Sequence, residues 1–411
     1  MPSETVELRG HIIDSLLLPK VLDEIVTLGG AFEIVDLAVG HTREDASRAT
    51  IRVTAPDAER LDAILGRIGQ HGAVPVRQED ARLVPADCDG AFPDGFYCTT
   101  HFDTWIRRDG GWIPVEHPEM DCGIAFDPAS GRAATRPMHR VRRGELIVVG
   151  HAGVKVAPID RSPEHNVFEF MASSVSSEKP KAAVIREMAE HIKTARAQGQ
   201  RVLVVAGPAV IHTGSGGHLE RLIEGGYVQE LFAGNALAAH DIEHALFGTS
   251  LGMSLEAGVP VDEGHEHHLR AINAIRRVGG IRQAVERGLL SRGIMHACIT
   301  RGVDYVLAGS IRDDGPLPDV ITDAVQAQDA MRERIRGVSV AILIATTLHS
   351  IATGNILPAS VKLICVDINP AVVTKLADRG SFQAVGLVTD VEPFLRALTD
   401  HLVPDSPTPT R

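Results

Sequence analysis

The sequence predicts an α/β protein in which a C-terminal Rossmann-like parallel sheet domain follows a ferredoxin-like α+β unit and a small β-rich subdomain. Three observations predict it. After residue 173, near-continuous apolar runs alternate with long amphipathic stretches; two rounds of strand and helix signals fill the first 80 residues; and short alternating runs broken by turn residues lie between them. Parallel strands covered by helices on both faces read as unbroken apolar runs, whereas half-exposed strands alternate.

The first unit is expected over 1–80. VELRGHIID, the periodic LLLPKVLDEIVTLGG, FEIVDLAVG, SRATIRVTAP, AERLDAILGRIGQHG and AVPV follow the order β-α-β-β-α-β, the ferredoxin-like arrangement. Over 81–172, TWIRRDGGWIPV and GIAFDPASGRAATRPM are short runs separated by turn residues and predict a mostly β subdomain. Over 173–401, RVLVVAG, VQELFAG, VDYVLAG, VSVAILIAT, KLICVDIN and AVGLVTD are the strands of the parallel sheet, and 402–411 is expected to be a disordered, Pro-rich tail.

A length of 411 residues accommodates such a multi-domain chain. Its 41 basic and 53 acidic residues give a formal charge of -12, which argues against a nucleic-acid backbone or an anionic membrane as partner and favours a small molecule. The start, MPSETVELRG, lacks the basic and apolar regions of a signal peptide, and the apolar runs fall short of the roughly 20 residues that span a bilayer, so a cytoplasmic protein is expected. The five cysteines, Cys88, Cys98, Cys122, Cys298 and Cys365, are scattered without CxxC spacing and read as reduced thiols.

Sheets of this kind bind ligands beyond the carboxyl ends of their strands. After RVLVVAG, Thr213, Gly214, Ser215, Gly216 and Gly217 lead into a helix; amides at a helix start suit a phosphate or pyrophosphate, and the same residues suit an ordinary turn and N-cap. The spacing is not GxGxxG. Asn235, after VQELFAG, is a helix cap or a ligand contact. Asp367 ends KLICV, where an acid accepts hydrogen bonds from a ribose diol, while Pro370 opening the next helix makes Asn369 an N-cap. Together these loops predict a nucleotide-sized crevice along one sheet edge.

In VLAGSIRDDGPLPDVITD (306–323), Asp313, Asp314, Asp319 and Asp323 follow Ala308, Gly309 and Ser310. Such acids can hold a divalent cation, hold a ligand's hydroxyl and ammonium groups, or cap a helix. Hard cations need several converging oxygens, and a second acidic motif is lacking, so no metal is expected. Asp319 also lies near the start of the helix VITDAVQAQDAMRERIRG, where a negative charge suits the dipole. HEHHLR (265–270) sets His265 and His268 on one helical face and reads as a solvated helix start more readily than as a metal site. His349, beyond VSVAILIAT, belongs to the ligand edge. Glu119, Asp121 and Cys122 lie together between hairpins; a buried Cys is more often a small apolar residue than a nucleophile, and Glu119 and Cys122 are kept as substrate-side candidates. Lys179 and Lys181 in SSEKPK are phosphate contacts or part of a solvated linker.

The motifs FEFMASSVSSEKPK (168–181), ELFAGNALAAHDIE (230–243), VLAGSIRDDGPLPDVITD (306–323), LHSIATGN (348–355) and ICVDINPAVVTKLADRGS (364–381) resemble those of the LOR/SDH conserved-region proteins, and the resemblance covers nearly the whole chain. It implies a C-terminal domain similar to the NAD-binding fold of deoxyhypusine synthase. It also implies the activity of the archaeal and cyanobacterial members, an ornithine cyclodeaminase that converts L-ornithine to L-proline and ammonia by transient hydride transfer to bound NAD. The implied cofactor contacts are Thr213, Gly214, Ser215, Asn235, Ala236, Gly309, Ser310, Asp313, Asn355, Asp367, Ile368 and Asn369. The chemistry requires a base, carboxylates for two ammonium groups and a cation for the α-carboxylate. Asp319 or Asp314 is expected as the base, with Asp313 and His349 beside them; Arg312, Lys155 or Arg161 supplies the cation, and Glu119 and Cys122 the substrate wall. A homo-oligomer, dimer or tetramer, is expected. Two rival readings are an NAD(P)-dependent amino-acid or saccharopine-like opine dehydrogenase, and a non-catalytic NAD or amino-acid sensor.

Overall fold

Residues 1–13, 15–42, 45–76, 79–157, 181–251, 253–254, 266–313, 315–378 and 384–403 are described by the structure, a computed structural model. Of the expected site residues, Asp314, Arg161, Lys179 and His265 lie outside these residues, as does FEFMASSVSSEKPK apart from Lys181. The chain divides into two units, Met1–Ala172 with Asn355–Ser360, and Ser173–Gly354 with Val361–Arg411.

The first unit begins with β1 (Ser3–Gly10), α1 (Leu17–Thr27), β2 (Ala31–Ala38), β3 (Ser47–Thr54), α2 (Ala58–Gly69) and β4 (Val74–Pro75). They form an antiparallel sheet of order β2-β3-β1-β4. Alternation decides the faces: Val6 and Leu8 of β1 and Ala49, Ile51 and Val53 of β3 are buried against Val21 and Ile25 of α1 and Ile64 and Ile68 of α2. Asp57 starts α2 by accepting the Arg60 N–H at 2.7 Å.

A second sheet follows, built from β5 (Arg82–Pro85), β6 (Thr104–Arg108), β7 (Gly111–Glu116), β8 (Gly123–Asp127), β9 (Arg132–Arg136), β10 (Leu146–Val149) and β11 (Val154–Val156), in the order β11-β6-β7-β9-β8-β10-β5. Only the β7 and β9 neighbours run parallel. Asp109 and Gly110 join β6 to β7 with φ of 50° and 80°. Two successive positive φ angles match the right-handed twist of a hairpin, and Asp-Gly supplies them at little steric cost.

The second unit contains α3 (Lys181–Ala197), β12 (Arg201–Ala206), α4 (Ala209–His212), α5 (Gly216–Glu224), β13 (Glu230–Gly234) and α6 (Asn235–Phe247). A short ribbon of β14 (Thr249–Ser250) and β15 (Met253–Ser254) precedes α7 (His267–Val278), α8 (Ile281–Glu286), α9 (Ile294–Arg301), β16 (Asp304–Ala308), β17 (Val320–Ile321) and α10 (Ala324–Arg334). The chain ends with β18 (Val338–Ile344), α11 (Thr347–Ile356), β19 (Lys362–Asp367), α12 (Pro370–Asp378), β20 (Ala384–Val388) and α13 (Val391–Leu402). The seven long-range strands make one parallel sheet, β17-β16-β13-β12-β18-β19-β20. The chain enters at β12, builds outward through β13 and β16, and returns to the other side of β12 with β18. The order reverses between β12 and β18, and a crevice opens where the connections leave such a pair in opposite directions.

Candidate functional site

At the reversal the two strand ends approach each other closely. A Cβ on Gly207 would stand 1.9 Å from the carbonyl oxygen of Ala345, so only glycine fits after β12. Ala345 itself has φ 49°, a conformation that costs a non-glycine residue energy and recurs at functional turns. Two residues into α11 comes His349, whose Nδ1 lies 3.1 Å from the Thr346 hydroxyl. Its imidazole covers Gly234 at the end of β13: a Cβ there would be 3.1 Å from His349 Cε1 and 3.7 Å from the Ala308 carbonyl oxygen. Burial lowers the His349 pKa, and the negative charge of Asp313 works against that shift. A half-buried imidazole beside a carboxylate thus stands over the ends of β13 and β16.

The three described acids after β16, Asp313, Asp319 and Asp323, have separate environments. Asp313 closes a turn, its Oδ2 accepting the Ser310 N–H at 2.8 Å, and the Ser310 hydroxyl accepts the Arg312 N–H at 3.2 Å. Asp319 accepts the Ile281 N–H at 2.9 Å through Oδ2 and the Tyr305 hydroxyl at 3.2 Å through Oδ1, so it serves the start of α8. Asp323 is the acid that starts the helix expected after Asp319, accepting the Val325 and Gln326 N–H groups at 2.9 Å. Asn235 is the first residue of α6 and not its cap; its buried side-chain oxygen accepts the Leu317 N–H at 3.0 Å and ties the acid loop to β13. Ala236 follows in the same turn of α6, while Gly309 donates to the Ile321 carbonyl at 2.9 Å.

Asp367 closes β19 with 8% of its surface exposed, and its Oδ1 accepts the Asn369 N–H at 2.8 Å. Asn369 in turn accepts the Ala371 N–H at 3.0 Å, the cap expected from Pro370. Beneath Asp367, burial first and the acid's charge second push the Cys365 thiol up to about 12. Thr213 and Ser215 share a hydroxyl contact of 2.7 Å, with Gly214 between them at φ 77°; Ser215 is fully buried and makes no side-chain cap to α5. Exposed apolar side chains follow three strands at this edge, Ile311, Leu348 and Ile368.

A buried polar network in the same unit was not singled out from the sequence. Glu243, with no exposed surface, accepts the Thr249 hydroxyl at 3.0 Å and the Leu251 N–H at 3.2 Å, and lies 2.9 Å from His240 Nδ1. The His240 ring meets the edge of His212 at 4.8 Å between centroids, and His212 Nδ1 lies 2.7 Å from the Ser250 hydroxyl. Burial and then His240 lower the His212 pKa. The HDIE spacing places His240 and Glu243 one helical turn apart and is the signal that would have found them. Of HEHHLR, His267 bonds Thr249 at 2.9 Å and His268 lies 6.2 Å from His240 between centroids. Among the described residues no cluster of His, Cys, Asp and Glu is arranged to hold a metal ion.

The remaining candidates belong to the first unit. Cys122 and Glu119 are buried, and the Cys122 thiol donates to Glu119 Oε1 at 2.8 Å; Thr99 accepts the Cys122 N–H at 3.0 Å and holds the same turn. The Met120 N–H reaches the Asn355 carbonyl at 3.2 Å. Lys155 stands over Trp105 and Trp112, 5.0 and 5.4 Å from the ring centroids, so its charge is held by cation–π contacts. Among the described residues no helix is long and apolar enough to cross a membrane.

Family models match almost the whole chain in succession. The LOR/SDH bifunctional enzyme conserved region covers residues 3–102, the first C-terminal region of ArgZ-like arginine dihydrolase covers 103–185, and the ArgZ-like C-terminal Rossmann fold covers 186–398. An ornithine cyclodeaminase of Methanopyrus kandleri is 54% identical over 400 residues, 97% of both chains. The crystal structure of apo ArgZ, an arginine dihydrolase of the cyanobacterial ornithine-ammonia cycle, is similar with a TM-score of 0.85 and 37% identity, covering 98% of this chain and 58% of that one. A ternary complex of AgrE with ornithine and NAD+ aligns with a TM-score of 0.53 and 42% identity, over 98% of this chain and 57% of AgrE.

Proposed function

The chain belongs to the LOR/SDH conserved-region family with an ArgZ-like C-terminal Rossmann domain, and from that premise we propose that it is an NAD-dependent ornithine cyclodeaminase. It converts L-ornithine to L-proline and ammonia at the carboxyl edge of the parallel sheet. The observation that carries the reading is the half-buried His349 beside Asp313, over the end of β13 and at the same edge as the buried acid Asp367.

The residues present fit NAD. Among the described residues Asp367 is the one strand-end acid nearly withdrawn from solvent, and a carboxylate there accepts both hydroxyls of an adenosine ribose. Ile368 and Leu348 offer apolar surface to flat rings. When bound, NAD supplies a hydride acceptor that returns the hydride within the same turnover. His349 takes a proton from the α-ammonium group through Nε2 while Thr346 orients Nδ1, and Asp313 stabilises the imidazolium that forms. The same imidazolium gives its proton back when the amine leaves, so the turnover closes with neither a net proton nor a net hydride. We assign the base to His349 over Asp319 because both Asp319 oxygens already accept hydrogen bonds, from Ile281 and Tyr305. Asp319 then acts as a positioning residue for the acid loop, and Arg312 receives the α-carboxylate.

The test is to denature the purified protein, identify the released nucleotide, and assay proline and ammonia from ornithine while following absorbance at 340 nm. Equal amounts of proline and ammonia without net NADH support the reading. Net NADH selects the dehydrogenase, and nucleotide binding without ammonia selects the sensor.

A further inference from the structure

The edge strand β2 has eight residues, Ala31–Ala38, all of them exposed in this chain. Edge strands are usually blunted with lysine or proline because their unpaired N–H and C=O groups recruit another strand. AFEIVDLA contains neither. Its only charges, Glu33 and Asp36, are paired to Arg52 and Arg48 of the neighbouring β3.

The pairing of β2 with β3 sets Phe32 opposite Val53, Ile34 opposite Ile51 and Leu37 opposite Ala49, with the register shifting between Ile34 and Asp36. Val53, Ile51 and Ala49 all face the core. Val35 is therefore an extra residue, a bulge, and its effect is to bring Leu37 onto the same face as Phe32 although the two are an odd number of positions apart. All three apolar side chains lie on the helix-covered face, yet Phe32, Ile34 and Leu37 remain 39%, 39% and 43% exposed, because the row continues past the edge. On that side α1 lies against β2 and carries the exposed Val26.

We propose that β2 is the interface with a second copy of this chain, joined antiparallel about a two-fold axis normal to the sheet that passes between Ile34 and Val35. In this register Phe32 of one protomer lies opposite Leu37 of its partner. A regular strand would set an apolar residue against a polar one there, because residues five apart point to opposite faces; the bulge makes the row self-complementary. The acids fall opposite each other on the open face, each held by its own arginine. The product is one eight-stranded sheet with the α1 helices of both copies on one side, extending the contact toward the roughly 800 Å² per partner that a stable dimer buries.

The test uses the full chain. Light scattering after gel filtration gives the mass of the wild type, of Phe32→Glu and of a double variant Phe32→Cys, Leu37→Cys. The expected results are a wild-type mass of an even number of chains, half that mass for Phe32→Glu with unchanged circular dichroism, and a covalent dimer after mild oxidation of the double variant only. Either single cysteine variant leaves its thiol about 14 Å along the strand from its own copy, four ladder steps (Val53 to Ala49 on β3) at ~3.4 Å each. Should Phe32→Glu fail to fold, the cross-link still reads the register. A monomeric wild type, an even-numbered wild type whose double variant does not cross-link, or single variants that cross-link as well as the double, would each overturn the proposal. So would an edge that captures an added strand peptide while the protein stays monomeric.

Discussion

Replacing Asp367 by Asn separates its role toward a ligand from its role in the fold. The Asn369 N–H that Asp367 Oδ1 accepts at 2.8 Å can be accepted equally by an Asn oxygen, so the turn into α12 persists. The second oxygen becomes an NH2 group, which cannot accept a ribose hydroxyl. One or two hydrogen bonds to a charged acceptor are lost, each contributing about 1.5–3 kcal/mol. Allowing for the bond that Asn retains, a net loss of ~2–4 kcal/mol corresponds to a Kd for NAD raised roughly 30- to 1,000-fold at 1.4 kcal/mol per decade. Titration calorimetry on nucleotide-free protein measures it, with thermal unfolding to check that the fold is kept. The decisive arm repeats the titration with 2′-deoxyadenosine NAD. The wild type should lose affinity for this analogue and Asp367→Asn should lose little more, because each change removes the same contact. Additive losses, or a Kd for NAD within threefold of wild type, refute the ribose assignment.

Other expectations follow from the same contacts. His349→Gln should abolish proline formation with NAD affinity unchanged, whereas Asp319→Asn should retain most turnover and lower thermal stability; the opposite pattern in kcat moves the base to Asp319. Because burial depresses the His349 pKa, kcat/KM should persist below pH 6.5 before its acid limb, and a limb above the ordinary histidine value removes His349 from that role. Gly207→Ala forces a backbone shift against Ala345 and should cost about 3 kcal/mol, a Tm fall of roughly 6–12 °C for a unit of this size by calorimetry. Burial holds Glu230, paired with Arg201 at the opposite end of the sheet, up to about 7 against an ordinary value of 4.5. A raised carboxyl pKa stabilises the fold fully below the unfolded value and loses that contribution as pH rises through 7. Stability should therefore fall by up to ~3 kcal/mol between pH 4.5 and 8 relative to Glu230→Gln, and parallel urea curves for the two proteins across that range would refute it.

What the sequence made legible follows the range of the interactions. The apolar runs from RVLVVAG to AVGLVTD identify the parallel strands because burial on both faces acts on each strand alone, and the Asp109-Gly110 turn and the Asp57 cap are equally local. The edge on which Asp313, His349 and Asp367 meet was legible for the same reason, since it needs only the direction of each strand. The division of labour among the acids was not, because partners remote in sequence decide it. Asp319 meets an amide 38 residues away, Asn235 holds one 82 residues away, and Gly207 is required by the carbonyl of Ala345, just past a strand that returns only after β17. Spacing alone made Asp319 the acid nearest a helix start, and it is one, but of α8 and not of α10, where Asp323 takes that place. The same limit explains the network around Glu243: its pairings with His240 and Thr249 are local to the β13 connection, while the approach of His212 needs the β12 and β13 connections to lie side by side. An acid in a strand-end loop is thus identified by sequence as available for chemistry, and only the amides that reach it decide whether it caps a helix or meets a ligand. By that criterion Asp313, whose charge acts on an imidazole and which accepts one local amide, is among the described acids of this loop the one free enough to act on a substrate.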